Sequence, residues 1–202
     1  MVNKNIILNL YDGAVSVVKD FSNPYANLME PYSVLYEANH VGILIQTYNI
    51  KSIADLGCGS GNMLRLVNGA YMRDVTYSGF DLNPNFIKYC TNRYPKGIFQ
   101  EYDISKKKLE NDYDLILIYE TFAYFTDEEI IDMIEYYYSK ANRVLSFVLL
   151  DRGSYDSSLN IIQVKADNVL NAVKDKYNKV EIDHDSTRCK YYIDIIKEEG
   201  VV

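Results

Sequence analysis

Ile53-Ala54-Asp55-Leu56-Gly57-Cys58-Gly59-Ser60-Gly61-Asn62 is the stretch that decides how the rest of the chain is read. A short apolar run enters three glycines at alternate positions, and a helical pattern follows over residues 62–71. Glycine permits a tight turn and leaves no Cβ to hold a ligand off the backbone. In an open α/β sheet, ligands settle beyond the carboxyl ends of the strands, where such a turn sits. The helix behind it presents N–H groups without intrahelical partners and the positive end of its dipole. The spacing separates two ligand classes. Dinucleotide loops read G-x-G-x-x-G, whereas this one reads G-x-G-x-G, and Asn62 stands where the longer version needs its last glycine.

Outward from this loop, short apolar runs alternate with helical segments. The runs span 52–56, 75–80, 98–101, 113–119, 143–150, 179–183 and 189–196. Several are continuous and rich in β-branched or aromatic residues, as strands covered on both faces should be. Helical patterns occupy 62–71, 84–94, 126–140 and 159–172, and Thr126 with Glu129 makes a capping box for the third. This alternation predicts an α/β fold. The expected form is a doubly wound, mostly parallel seven-stranded sheet with helices on both faces. The last two runs, joined by the polar turn at Asp185-Ser186, predict an antiparallel C-terminal hairpin at the sheet edge. Residues 1–50 differ: helical patterns at 5–19 and 31–48 flank Asp20-Phe21-Ser22-Asn23-Pro24. In the second, Val34, Leu35, Ala38, Val41, Leu44 and Ile45 form one apolar face. With neither repeat nor Gly/Ser linker, the expectation is one domain over 1–202, a helical N-terminal lid (1–50) on a ligand-binding core (51–202).

Three further strand ends carry candidate chemistry. Tyr77-Ser78-Gly79-Phe80-Asp81-Leu82-Asn83-Pro84 places an acidic residue 20 positions beyond Gly61. A carboxylate there can accept both hydroxyls of a ribose, with Leu82 against an adenine; Asn83 and Pro84 suit the cap and first position of the next helix. After the third strand, Asp103 can accept from the exocyclic amine of adenine, and the N–H of Ile104 can donate to a ring nitrogen. After the fourth, Tyr119-Glu120-Thr121-Phe122-Ala123-Tyr124 follows a buried run. Glu120 there can orient a substrate amine or take its proton, and Tyr124 can close the pocket. Asp55 suits S-adenosylmethionine, which has no pyrophosphate but carries an ammonium and a sulfonium.

With these four elements in order, the sequence resembles the class I, Rossmann-like S-adenosylmethionine-dependent methyltransferases, of the small-molecule type. The resemblance covers residues 51–150 in motifs and extends to 196 through the hairpin. It implies that Asp55, Gly57, Cys58, Gly59 and Gly61 form the methionine-side loop, that Asp81 and Leu82 meet the ribose and adenine, that Asp103 and Ile104 meet the adenine, and that Tyr119 lines the cofactor. S-adenosylhomocysteine is then the product. Thr121 and Phe122 stand where families that methylate exocyclic base amines carry Pro-Pro-aromatic. Their identity, with a formal net charge of -7, argues against nucleic acid, whose phosphates require clustered Lys and Arg. Lys106-Lys107-Lys108 reads as a solvated loop.

General bases are few. His40 lies near the apolar face of the second N-terminal helix and is the candidate beside Glu120 and Tyr124. His184 between two aspartates reads as a solvated turn, and Asp151-Arg152 as a salt-bridged loop that can touch substrate. Tyr11, Tyr25, Tyr32 and Tyr36 can line the lid. The cysteines Cys58, Cys90 and Cys189 are odd in number and lack metal-ligand spacing, so neither disulfide nor metal is expected. No apolar run approaches the roughly 18 residues of a membrane span, and the N-terminal apolar stretch is too short for a signal peptide, so the expected location is cytoplasmic. The expected activity is methyl transfer to an N or O atom of a metabolite, sugar or natural product, by a monomer or homodimer. A protein or RNA methyltransferase and a non-catalytic S-adenosylmethionine-binding module are the alternatives.

Overall fold

A computed structural model describes residues 31–67, 71–150 and 165–197. Seven strands form one mixed sheet in the order β3-β2-β1-β4-β5-β7-β6. They are β1 (Ser52–Leu56), β2 (Thr76–Asp81), β3 (Ile98–Glu101), β4 (Tyr113–Ile118), β5 (Ala141–Leu150), β6 (Val180–Asp185) and β7 (Lys190–Ile196). The chain divides into two compact units, Asn3–Asp103 and Ile104–Val202, with the first two residues grouped in the latter.

In the first unit, β1 runs parallel to β2 and β2 parallel to β3. Ile53, Ala54 and Leu56 are almost wholly buried, which is why β1 reads as a continuous rather than an alternating apolar run. β3 is the edge: it is four residues long and leaves Ile98 56% exposed, a short edge that offers little to a foreign strand. Among the described residues the unit has three helices: α1 (Pro31–Thr47), α2 (Asn62–Val67) and α3 (Pro84–Arg93). Asn83 caps α3 by accepting from the Asn85 N–H at 2.9 Å, and Pro84 begins it, as the sequence implies. The helical pattern of 62–71 stops at Val67; 68–70 lie outside the described residues and Tyr71–Asp74 form a turn. On α1, Ala38, Val41, Leu44 and Ile45 are buried as expected, and the helix packs on α2. Leu35 departs from the expected apolar face, at 57% exposed. The expected helix at 5–19 lies outside the described residues.

In the second unit, β4 and β5 run parallel, and β7 lies antiparallel between β5 and β6. Leu115, Ile116, Leu117 and Ile118 are fully buried in succession; each such side chain stabilises by about 1.5–3 kcal/mol relative to exposure. At the opposite edge β6 carries Glu181, Asp183, His184 and Asp185, charges that blunt a free edge. The helix α4 (Asp127–Lys140) opens with the Thr126–Glu129 capping box. The helix α5 (Ala166–Lys176) runs past the end of the expected 159–172, with Val169, Leu170 and Val173 in its buried stripe, and residues 159–164 lie outside the described residues. The β6–β7 turn closes on Asp185, whose Oδ1 accepts from the Thr187 N–H and hydroxyl at 3.0 and 2.6 Å.

Candidate functional site

Gly57, Gly59 and Gly61 take φ of 91°, 52° and 75°, the left-handed region that glycine enters without steric cost. The turn is tied to the end of β2: the N–H groups of Gly57 and Cys58 donate to the Phe80 carbonyl at 2.7 and 3.0 Å. Gly61 is also a close approach, since a Cβ there would stand 2.8 Å from Cε2 of Tyr94. Both thiols beneath the loop, Cys58 and Cys90, donate to the Gly59 carbonyl, at 3.7 and 3.3 Å. Hydrogen bonding to Cys90 and burial push the Cys58 thiol well above its ordinary range. It stays protonated and packs the loop from below.

Asp81 ends β2, half-buried. Its Oδ2 accepts from the Gly59 N–H and its Oδ1 from the Asn83 N–H, both at 2.8 Å. Each carboxylate oxygen has two acceptor positions, so the backbone fixes the group and leaves acceptor capacity on both oxygens. Burial pushes it up to about 6, against the backbone N–H bonds of Asn83, Gly59 and Leu82, which favour the charged form. Asp55, paired in register with Gly79, lies across from Tyr77 and Asp81 on β2. The Tyr77 hydroxyl donates to its Oδ2. Burial pushes Asp55 up to about 7, opposed by the Tyr77 hydrogen bond and assisted by the charge of Asp81. Gly79 makes the arrangement possible: a Cβ there would meet the Phe99 ring at 2.8 Å and the Cys58 sulfur at 2.9 Å. Tyr77 carries no motif, and only the strand register reveals it.

Leu82 and Asp103 are half-buried in the same unit. His40 is half-buried on α1, one turn from the fully buried Glu37. Asn62, which opens α2, is 5% exposed, and its Nδ2 has no hydrogen-bond partner.

In the second unit, Tyr119 is buried, with its hydroxyl 2.8 Å from that of Ser146 on β5 and its ring edge-on to Tyr192. Its side chain belongs to the core. Glu120 follows at φ 58°, a conformation that costs a non-glycine residue about 1–3 kcal/mol unless its surroundings enforce it. Its carboxylate is paired with Lys190 at the start of β7, whose Nζ donates to Glu120 Oε1; the side chains are 8% and 22% exposed. Lys190 has no sequence signal, because its partner lies 70 residues away. Tyr124 sits half-buried in a short helical turn, Phe122–Tyr124, anchored by Phe122 against Phe147. Ile104 is buried and its carbonyl accepts from the Tyr137 hydroxyl at 2.7 Å. His184 stacks on Tyr191 with ring centroids 4.1 Å apart. Lys107 pairs with Asp132. Tyr36 is exposed, and Asp151, Arg152, Tyr11 and Tyr25 lie outside the described residues. Among the described residues no cluster of His, Cys, Asp and Glu has the makings of a metal site, and no helix is long and apolar enough to cross a membrane.

The donor set of the first unit fits S-adenosylmethionine. Two carboxylates are held where hydroxyl or cationic groups can be accepted, next to a bare backbone turn. Comparison with known proteins agrees. Residues 53–145 match the family model described as a methyltransferase domain. A malonyl-[acyl-carrier protein] O-methyltransferase of Acetivibrio thermocellus is 31% identical over 119 residues, 58% of this chain and 37% of that protein. A relative from Invertebrate iridescent virus 6 is 27% identical over 73 residues, 36% of this chain and 27% of that one. The chain thus spans well under half the length of these curated relatives. Among solved structures, magnesium protoporphyrin IX methyltransferase from Synechocystis PCC 6803 with bound S-adenosylhomocysteine superposes with TM-score 0.73 at 13% identity, over 97% of this chain and 100% of that one. The plantazolicin methyltransferase BpumL, in complex with a monoazolic desmethylPZN analogue and S-adenosylhomocysteine, gives 0.71 at 18%, over 97% and 95%. These likenesses show the fold, and the sequence match shows the domain. Residues 53–145 are thus similar to a methyltransferase domain, and the sheet order is that of the class I methyltransferase fold.

Proposed function

We propose that the protein transfers the methyl group of S-adenosylmethionine to a nitrogen or oxygen atom of a small molecule. The observation that carries this reading is the carboxylate of Asp81 clamped by the Gly59 and Asn83 N–H groups beside the positive-φ glycine turn. Two named neighbours are a magnesium protoporphyrin IX methyltransferase and a plantazolicin methyltransferase, and the net charge of -7 disfavours a phosphate backbone.

When bound, S-adenosylmethionine supplies a methyl group already activated on a positively charged sulfur. The protein's own work is therefore alignment and exclusion of water. The glycines let the backbone approach the ligand, Asp81 accepts from the ribose hydroxyls, and Leu82, Asp103 and Ile104 meet the adenine. Asp55 sits on the methionine side, with Gly57, Cys58, Gly59 and Gly61 and the backbone of Tyr119. Glu120, fixed by Lys190, accepts a hydrogen bond from the N–H or O–H of the acceptor and so presents its lone pair. Tyr124 and His40 are the remaining candidates for contact with the acceptor.

The test is incubation with methyl-labelled S-adenosylmethionine and a panel of amines, phenols, carboxylic acids and azole peptides, with products resolved by mass. Labelling of a small molecule that falls at least tenfold in Glu120→Gln supports the reading. Labelling confined to protein or RNA replaces the substrate class. Tight cofactor binding without transfer to any acceptor makes the chain a binding module.

A further inference from the structure

The ion pair of Glu120 and Lys190 is asymmetric. Glu120 stands just beyond β4, and Lys190 opens β7 opposite Leu150, the last residue of β5. Because β5 lies between β4 and β7, the pair bridges the end of β5 at the carboxyl edge of the parallel strands, where ligands of open α/β sheets settle. The acid is the outer member: its side chain is 22% exposed and that of the lysine 8%. Oε1 takes the Lys190 ammonium, and an ionised carboxylate keeps further acceptor positions on both oxygens. A ligand at this edge therefore meets the negative charge first, with the positive charge behind it.

The possible acceptor groups respond differently to that arrangement. A carboxylate brings a like charge to Glu120 and is repelled. A hydroxyl becomes a strong nucleophile only as its proton leaves. A neutral amine brings its own lone pair and an N–H for the carboxylate. As its lone pair forms the new C–N bond, the C–S bond breaks with its electrons left on sulfur, and the sulfonium becomes a neutral thioether. The methylated nitrogen carries the positive charge until it releases a proton to water. A fixed carboxylate beside that nitrogen interacts more strongly in the transition state than before it.

We propose that the Glu120–Lys190 pair selects amines: Glu120 accepts from the N–H of the acceptor and turns away carboxylates. Lys190 is the positioning residue that holds Glu120 and whose own charge Glu120 screens. The inference rests on the role given to Glu120 above and narrows it from nitrogen or oxygen to an amine nitrogen.

The experiment follows transfer from methyl-labelled S-adenosylmethionine to benzylamine, benzyl alcohol and benzoate, matched in frame and different in acceptor group, in mildly alkaline buffer where part of the amine is uncharged. Wild type is expected to label benzylamine alone. In Glu120→Gln, kcat for benzylamine is expected to fall about 10-fold or more with KM changed less than about threefold, because the lost interaction belongs to the transition state. Benzoate labelling is expected to appear in the same variant, since the Lys190 charge is no longer screened. Lys190→Arg, which keeps a cation behind the acid, is expected to retain kcat for benzylamine within about threefold of wild type, whereas Lys190→Met is expected to lose about as much as Glu120→Gln. Lys190→Met/Glu120→Gln carries neither charge, and is expected to lose benzylamine labelling without gaining benzoate. Wild type that labels benzoate or benzyl alcohol as fast as benzylamine, or none of the three while binding S-adenosylhomocysteine, overturns the inference. So does benzoate labelling by the double variant equal to that of Glu120→Gln. Wild type that does not bind S-adenosylhomocysteine defeats the cofactor reading instead, and is told apart by calorimetry without any acceptor.

Discussion

Replacing Asp55 by Asn removes a buried acid from beneath the glycine turn, and the consequence is specific to pH. Asp55 is 5% exposed, and burial lifts it from the ordinary 3.8 to about 7. The folded protein therefore keeps a proton that the unfolded chain releases above about pH 4. Stability contributed by this neutral acid is fully present below the unfolded value and is lost as pH rises through about 7. The gap of about three pH units corresponds to about 4 kcal/mol at 1.36 kcal/mol per unit. That is an upper figure, because strand relaxation and water entry soften the penalty, so a loss on the order of 2–4 kcal/mol is expected. Urea denaturation at half-unit steps from pH 4.5 to 8.5 measures it. Wild type is expected to lose stability steadily to about pH 7 and then level. Asn cannot ionise, so Asp55→Asn is expected to lose less over the same range, keeping only the shallower slope due to Asp81, which burial lifts to about 6. At pH 8 the variant is expected to be at least as stable as wild type. Identical slopes in the two proteins, or a wild-type stability that rises between pH 5 and 7, refute the reasoning.

Other perturbations have equally definite outcomes. Gly61→Ala forces a side chain to φ 75° and into the Tyr94 ring at 2.8 Å; it is expected to cost more than about 1 kcal/mol and to weaken S-adenosylhomocysteine binding, by chemical denaturation and calorimetry. Lys190→Met leaves Glu120 partly buried and uncompensated, with an expected cost of about 3 kcal/mol, and Lys190→Met/Glu120→Gln recovers at least half of it. A thiol-reactive disulfide reagent is expected to titrate Cys189 alone in the native protein, because Cys58 and Cys90 are buried and the Cys58 thiol resists ionisation.

The features legible in the sequence were those whose signal is local. Positive-φ glycines at alternate positions, the Asn83-Pro84 helix start and the Thr126–Glu129 box each depend on residues within a few positions of one another, and each stands where expected. Continuous apolar runs located β1, β4 and β5, because burial on both faces leaves no room for alternation. What stayed hidden is set by pairing across the sheet. Tyr77 meets Asp55 through strand register, Lys190 meets Glu120 across 70 residues, and Tyr119 spends its hydroxyl on Ser146 rather than at the strand end. The same holds for Leu35, where helical spacing promised burial but the structure leaves the side chain exposed. The end of α5 lies beyond the expected residue 172 because Val173 belongs to its buried stripe.

The most direct test of the account is a calorimetric titration of S-adenosylhomocysteine into wild type and Asp81→Ala, with melting curves to verify that both are folded. Two hydroxyl bonds to a charged acceptor, at about 1.5–3 kcal/mol each, predict one-to-one micromolar binding by wild type and a loss of at least about 100-fold in the variant. Folded wild type that does not bind, or a folded Asp81→Ala that binds as tightly as wild type, contradicts the assignment of this site to the cofactor.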